Sequence, residues 1–262
     1  MATLSFFVGV IGNIISVLLF LSPLGTFCRI VKHRTTEEFE SFPYICTLLS
    51  SSLWTYYGVT KPGSLLVATI NSFGVVVEII FISLFLVFAT PRVRAKTATL
   101  VAVLNVGFLA GVMLITGFLL HGDIKIEVIG FLSAGLNIVM YGSPLAAMKR
   151  VVSTKSVEYM PFLLSFFVFL NGGIWTFYAV LVKDVFLAVP NGAGFIMGIA
   201  QLVLYAIYRN PKSSSKKMYE DLEDHESQHE HLLPSIGTSM QESISAHSQR
   251  SNGNRDEKEE DM

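Results

Sequence analysis

Apolar residues run along this chain in seven stretches, 4–27, 42–59, 65–90, 98–120, 126–148, 160–182 and 185–208, with short polar connections between them. Each approaches the roughly 20 apolar residues that a helix needs to cross the hydrocarbon core of a bilayer. The pattern predicts an all-α integral membrane protein with seven transmembrane helices, and no separate soluble domain before Asn210. Composition agrees. Of 262 residues, 52% are hydrophobic and 15% charged, and mean hydropathy is +0.55, more apolar surface than a soluble domain covers. The opening MATLSFF has neither a positive region nor a cleavage site, so the first stretch is expected to stay as a helix.

Charge orients the spans. Arg29, Lys32 and Arg34 follow the first stretch, Lys61 the second, then Arg92, Arg94 and Lys96, then Lys125, then Lys149, Arg150 and Lys155, then Lys183, then Arg209, Lys212, Lys216 and Lys217. Alternate connections are rich and poor in positive charge, and rich ones stay cytosolic. The N-terminus is therefore expected outside or in a lumen, and the C-terminus in the cytosol. Cys28 and Cys46 are too few for a disulfide framework. Residues 210–262 are acidic, rich in serine and almost without aromatics, a composition that cannot bury enough apolar surface to order itself. They read as a disordered cytosolic tail, and their histidines (His225, His229, His231, His247) as solvated rather than metal-binding.

The chain repeats itself. SLWTYYG at 52–58 and GIWTFYA at 173–179 share a phrase. Around them the same landmarks recur in the same order: Pro23 and Pro144 within Ser-Pro-Leu, Pro43 and Pro161, Trp54 and Trp175, then Asn71 and Asn191, each with glycine three residues on. Spans one to three match spans five to seven, and the fourth has no partner. An odd linker helix is what two three-helix units need in order to face the same way. The expected arrangement is 3+1+3: a first repeat over 1–90, a linker over 91–124, a second repeat over 125–209 and the tail over 210–262.

Through GNIISVLLFLSPL, KSVEYMPF, SFFVFLNGGIW and VPNGAGF, residues 4–210 resemble the plant SWEET sugar transporters, a family with parallel repeats. The start of the chain and HRTTEEFESFPYICTLLSSSLWTYYG look most like its vacuolar branch, associated with fructose and other hexoses. The resemblance implies a passive, bidirectional hexose uniporter working by alternating access in the vacuolar membrane, with the plasma membrane as the alternative. It also implies a homo-oligomer.

No catalytic, phosphate-binding or metal-ligating constellation is visible, and neither a cofactor nor a nucleic-acid partner is expected. A sugar needs amides, hydroxyls and flat apolar faces instead. Asn71 and Asn191 supply amides, and Trp54 and Trp175 supply faces. Ser50 and Asn171 lie four residues before the tryptophans, on the same helix faces. Ser16 and Asn137 lie seven residues before the first prolines, and Leu19 and Met140 four before them. By resemblance these positions line the central cavity, Pro23, Pro43, Pro144 and Pro161 hinge a cytosolic gate, and Tyr57, Tyr178 and Asp184 form an outer gate. Asparagine within a span can instead join neighbouring helices, and Trp54, about 10 Å of helix from Lys61, can belong to an interfacial belt.

Glu78 is the one acidic residue deep in a span, two turns after Asn71. It is either a structural carboxyl or the site of proton coupling. The alternative functions are thus a proton-coupled sugar transporter and a seven-helix receptor.

Overall fold

A computed structural model of the chain describes residues 2–158 and 160–209. The segment read as a tail lies outside the described residues. The helices are α1 (Ala2–Leu21), α2 (Leu24–His33), α3 (Phe42–Thr60), α4 (Leu65–Phe88), α5 (Pro91–Leu100), a π-helical segment Val101–Phe108, α6 (Leu109–Phe118), α7 (Gly122–Met140), α8 (Gly142–Thr154), α9 (Phe162–Val182) and α10 (Val185–Tyr208). End to end they make seven rods. Six are long and apolar enough to cross a membrane. The seventh, α3, spans 19 residues and is diluted by Thr47, Ser50, Ser51, Ser52 and Thr55.

Two rods outrun their apolar stretches. Helix α2 continues through Arg29 and Lys32 to His33, and α8 through Lys149 and Arg150 to Thr154. Helix α2 buries Phe27 and Ile30 and leaves its basic residues exposed, so an amphipathic turn replaces the predicted end of the span.

Proline marks both interruptions, in different ways. Pro23 lacks the N–H that would bond Leu19 O, four residues back. That carbonyl accepts from Ser22 N instead, at 3.1 Å, and α1 ends. Pro144, expected inside a helix, stands in the first turn of α8, just beyond a turn at Tyr141. A missing N–H is tolerated there. Pro43 lies in the first turn of α3, and Pro161 immediately precedes α9.

Six rods close a ring in the order α1, α4, α3, α7, α10, α9 and back to α1, each packing on the next. Exchanging the repeats (α1 for α7, α3 for α9, α4 for α10) maps the ring onto itself. The fourth rod lies outside the ring, against α3, α4 and α7. The repeated Asn-x-x-Gly has a packing cause. A Cβ on Gly74 would stand 2.4 Å from the Phe20 ring, and one on Gly194 2.7 Å from the Tyr141 hydroxyl. Equivalent aromatic residues, Phe20 at the end of α1 and Tyr141 just past α7, thus lie against glycines of α4 and α10. The outward faces are apolar, with Phe118, Phe131, Val139, Leu163 and Ile196 among their exposed side chains, the surface that a lipid-embedded protein presents.

Candidate functional site

The ring encloses a cavity of about 430 Å³. It is lined by all ten residues that the sequence nominates for ligand contact: Ser16, Leu19, Ser50, Trp54, Asn71, Asn137, Met140, Asn171, Trp175 and Asn191. Four of its walls are aromatic or apolar landmarks of the repeat, and its polar groups are almost entirely amides and hydroxyls.

Asn71 and Asn191 sit on α4 and α10, on opposite sides of the ring. Each donates one N–H to the carbonyl one turn back in its own helix, Asn71 to Val67 O at 2.8 Å and Asn191 to Leu187 O at 2.9 Å. Only the NH₂ end of an amide can donate to a carbonyl, so these bonds fix the amide orientation. The oxygen and the second N–H of each make no hydrogen bond with the described residues and stay uncommitted. Neither asparagine ties one helix to another.

Asn137 and Asn171 do. Ser16 Oγ donates to Asn171 Oδ1 at 2.6 Å, joining α1 to α9, and Ser50 Oγ donates to Asn137 Oδ1 at 2.7 Å, joining α3 to α7. Both are contacts between the repeats. Trp175 Nε1 further donates to Ser16 Oγ at 2.9 Å. Trp54 and Trp175 are both buried, within the protein rather than on the outward faces where a belt would lie. Each meets the tyrosine three residues on edge to face, Tyr57 at 5.4 Å and Tyr178 at 5.3 Å between ring centroids.

Beyond the tryptophans the cavity is shut. Val8, Tyr57, Val67, Ile129, Tyr178 and Leu187 form one buried apolar cluster. Over it the Tyr57 hydroxyl donates to the Asp184 carboxylate, at 2.9 and 3.0 Å to its two oxygens. Lys61 Nζ reaches Asp184 Oδ2 at 2.6 Å and the Tyr57 hydroxyl at 3.0 Å. Asp184 also caps α10, accepting from Leu187 N at 3.2 Å. Tyr178, nominated alongside them, packs on Trp175 and takes no hydrogen bond among the described residues. Lys61 escaped sequence reasoning as a gate residue; it served there only to orient the spans and to mark the membrane interface near Trp54. At the repeat-equivalent of Asp184 stands Ser64, so this closure is one-sided.

The opposite end is bordered by Ser22, Pro23, Pro43, Tyr44 and Thr47. There Ser22 and Pro43 are exposed, and among the described residues nothing comparable to the Tyr57–Asp184–Lys61 knot closes this end. Pro144 and Pro161 are not among the lining residues. Phe20, Tyr44, Thr47 and Ser51 are, and sequence reasoning missed them although Phe20 and Tyr44 have aromatic counterparts in Tyr141 and Phe162. Glu78 lines the cavity as well. Among the described residues no group of three or more His, Cys, Asp or Glu side chains is placed to hold a metal ion.

A twofold-related ring of membrane-crossing helices, shut at one end and open at the other around a polar cavity, defines a multi-pass transporter of the repeat-built class. A family model described as "Sugar efflux transporter for intercellular exchange" matches the chain twice, over residues 6–92 and 127–213. The chain belongs to this family, whose members include the SWEET proteins. Bidirectional sugar transporter SWEET17 of Arabidopsis thaliana is 60% identical over 213 residues, covering 81% of this chain and 88% of that protein. SWEET16 of the same plant is 58% identical over 214 residues, covering 80% and 92%. The solved structure of a eukaryotic SWEET transporter superposes with a TM-score of 0.76 at 38% identity, over 79% of this chain and 98% of that one.

Proposed function

We propose that this chain is a passive, bidirectional carrier of hexoses that works by alternating access. The observation that carries the proposal is the pair Asn71 and Asn191: repeat-related amides with uncommitted donors and acceptors, facing one cavity between two buried indoles. A sugar ring offers hydroxyls to such amides and C–H faces to such rings. The relatives named bidirectional sugar transporters support the substrate class, and the resemblance of the chain's start to the vacuolar branch of the family is the ground for fructose or glucose as cargo and the vacuolar membrane as location.

In this reading the positive-rich connections lie in the cytosol, the N-terminus in the lumen and the segment 210–262 on the cytosolic side. The cavity then faces the cytosol, and the Tyr57–Asp184–Lys61 knot is the closed lumenal gate. The repeats 1–90 and 125–209 are the rocking units, linked through 91–124. Switching breaks the knot and closes the other end about Pro23, Pro43, Pro144 and Pro161. A homo-oligomer would cover part of the apolar exterior.

Uptake of labelled fructose, glucose and sucrose into vesicles, with and without a pH difference, tests the reading. Equilibration of a hexose to equal concentrations, unaffected by the pH difference, is expected. Accumulation against a hexose gradient would replace the uniporter with a coupled transporter.

A further inference from the structure

Glu78 lies on α4 seven residues beyond Asn71, about 10 Å along the helix toward the proline end. A hexose held between Asn71 and Asn191 does not extend that far. The side chain lines the cavity yet is only 3% exposed, and its Oε2 is fully enclosed without a hydrogen-bond partner. Burying a carboxyl without a partner is costly, and no Lys, Arg or His lines the cavity to compensate it. The other titratable lining group is Tyr44, which lies within electrostatic reach of Glu78. The Tyr44 ring is held edge to face by Phe27 at 4.9 Å and Phe81 at 6.2 Å. Its hydroxyl likewise takes no hydrogen bond among the described residues.

The second repeat has nothing like it. The equivalent of Glu78 is Gly198, where a Cβ would stand 2.6 Å from Phe169 Cα, and the equivalent of Tyr44 is Phe162. The twofold pairing that governs the central site therefore ends at this level.

Resting on the hexose-carrier reading, we infer that the Glu78 carboxyl and the Tyr44 hydroxyl form a second, one-sided sugar station at the proline mouth, which takes hydroxyls of the hexose as it enters or leaves the central site. Such a station lowers the barrier between mouth and centre without altering the centre itself.

The test uses the full chain in sealed proteoliposomes, with labelled fructose and glucose supplied from each side in turn. The chain's two tryptophans, Trp54 and Trp175, line the central site, and their fluorescence reads its occupancy. Glu78→Leu and Tyr44→Phe are expected to cut hexose flux about tenfold and several-fold respectively, by loss of hydrogen bonds. Fluorescence-read affinity should stay within about twofold. The loss should appear in KM for sugar added at the mouth and in Vmax for sugar added opposite, Vmax/KM falling equally in both directions as a passive carrier requires. Glu78→Gln, which keeps the polar contacts, should retain flux. If Glu78→Leu does not fold, Tyr44→Phe must show the same split.

Wild-type kinetics in the variants that fold would overturn the station alone. Loss in Glu78→Gln as deep as in Glu78→Leu would also overturn it, in favour of proton coupling if the wild type accumulates hexose under a pH difference. A wild-type chain that moves no hexose overturns the carrier reading, and the station with it.

Discussion

Ser16 and Asn171, 155 residues apart, are joined by a 2.6 Å hydrogen bond, and exchanging the repeats carries this pair onto Asn137 and Ser50, joined at 2.7 Å. The residue types trade places while serine remains the donor. The bond is thus conserved by the twofold although neither residue is. It bridges the two repeats at the level of the cavity, where any relative movement of the repeats must strain or release it.

The two bonds differ in what hangs on them. Ser16 Oγ also accepts from Trp175 Nε1, and no described group plays that part for Trp54. Ser16→Ala should leave a buried indole donor unpaired, at about 1–3 kcal/mol, where Ser50→Ala loses a single bond worth about 1 kcal/mol. Thermal unfolding in detergent should show the larger Tm loss for Ser16→Ala. Equal losses would mean that the indole finds another partner and that the asymmetry has no energetic weight.

The prolines are also expected to be unequal. Pro23 ends α1 and lines the cavity mouth, whereas Pro144 occupies a first-turn position that tolerates it, with the chain already turned at Tyr141. Pro23→Ala lets α1 and α2 fuse and should reduce flux by about tenfold or more, the effect of a stiffened hinge on a conformational step. Pro144→Ala should cost less. Initial rates in vesicles, normalised to protein amount, decide it, and the reverse ranking would place the principal hinge in the second repeat.

The Lys61–Asp184 tie stabilises only the state that is closed at that end. Asp184 is fully buried while the Lys61 side chain is about a quarter exposed, so water screens the pair in part. Lys61→Met should weaken closure by about 1–2 kcal/mol, roughly a tenfold shift of population. A cysteine placed at Val67, just beneath the knot, should then label faster with a thiol reagent added on the Lys61 side. Asp184→Asn should act in the same direction and also weaken the cap of α10. Unchanged labelling in both variants would mean that the apolar cluster alone holds this end shut.

Much of this arrangement is legible in the residues before any coordinates. Long apolar runs force helices, and the recurrence of Pro, Trp and Asn with its glycine announces two equivalent units whose matching side chains converge. The rest depends on which helix faces which. Spacing places Ser50 and Trp54 on one face, but it does not reveal that α7 brings Asn137 to Ser50. Lys61 sits in a connection that reads as solvent, and only the entry geometry of α10 carries Asp184 to it. Hydropathy ended the first and fifth spans too early because α2 and α8 bury one face and present arginine and lysine on the other. The glycines after Asn71 and Asn191 are legible as a pattern, while their cause, the Phe20 and Tyr141 side chains, lies elsewhere in the ring.

The central amides remain the sharpest test. Asn71 and Asn191 each spend one N–H on their own helix, so each retains one donor and one acceptor, which the proposed function assigns to sugar. Alanine at either position leaves Val67 O and Leu187 O one turn from ordinary helical donors, and the local backbone should hold. Sugar hydroxyls that met the amide lose their partners in a water-poor site, at about 1–3 kcal/mol, or one to two decades of affinity at about 1.4 kcal/mol per decade. Asn71→Asp and Asn191→Asp sharpen the reading. A carboxylate keeps the shape but sets a negative oxygen against the i−4 carbonyl, so it should turn away and weaken binding at least as much as alanine. Tryptophan fluorescence titrated with fructose and glucose reads all four variants, with Tm measured in parallel. Affinity lost at near-normal Tm places the amides on the sugar. Wild-type affinity in both alanine variants would remove them from the site and leave the repeated asparagine without a transport role.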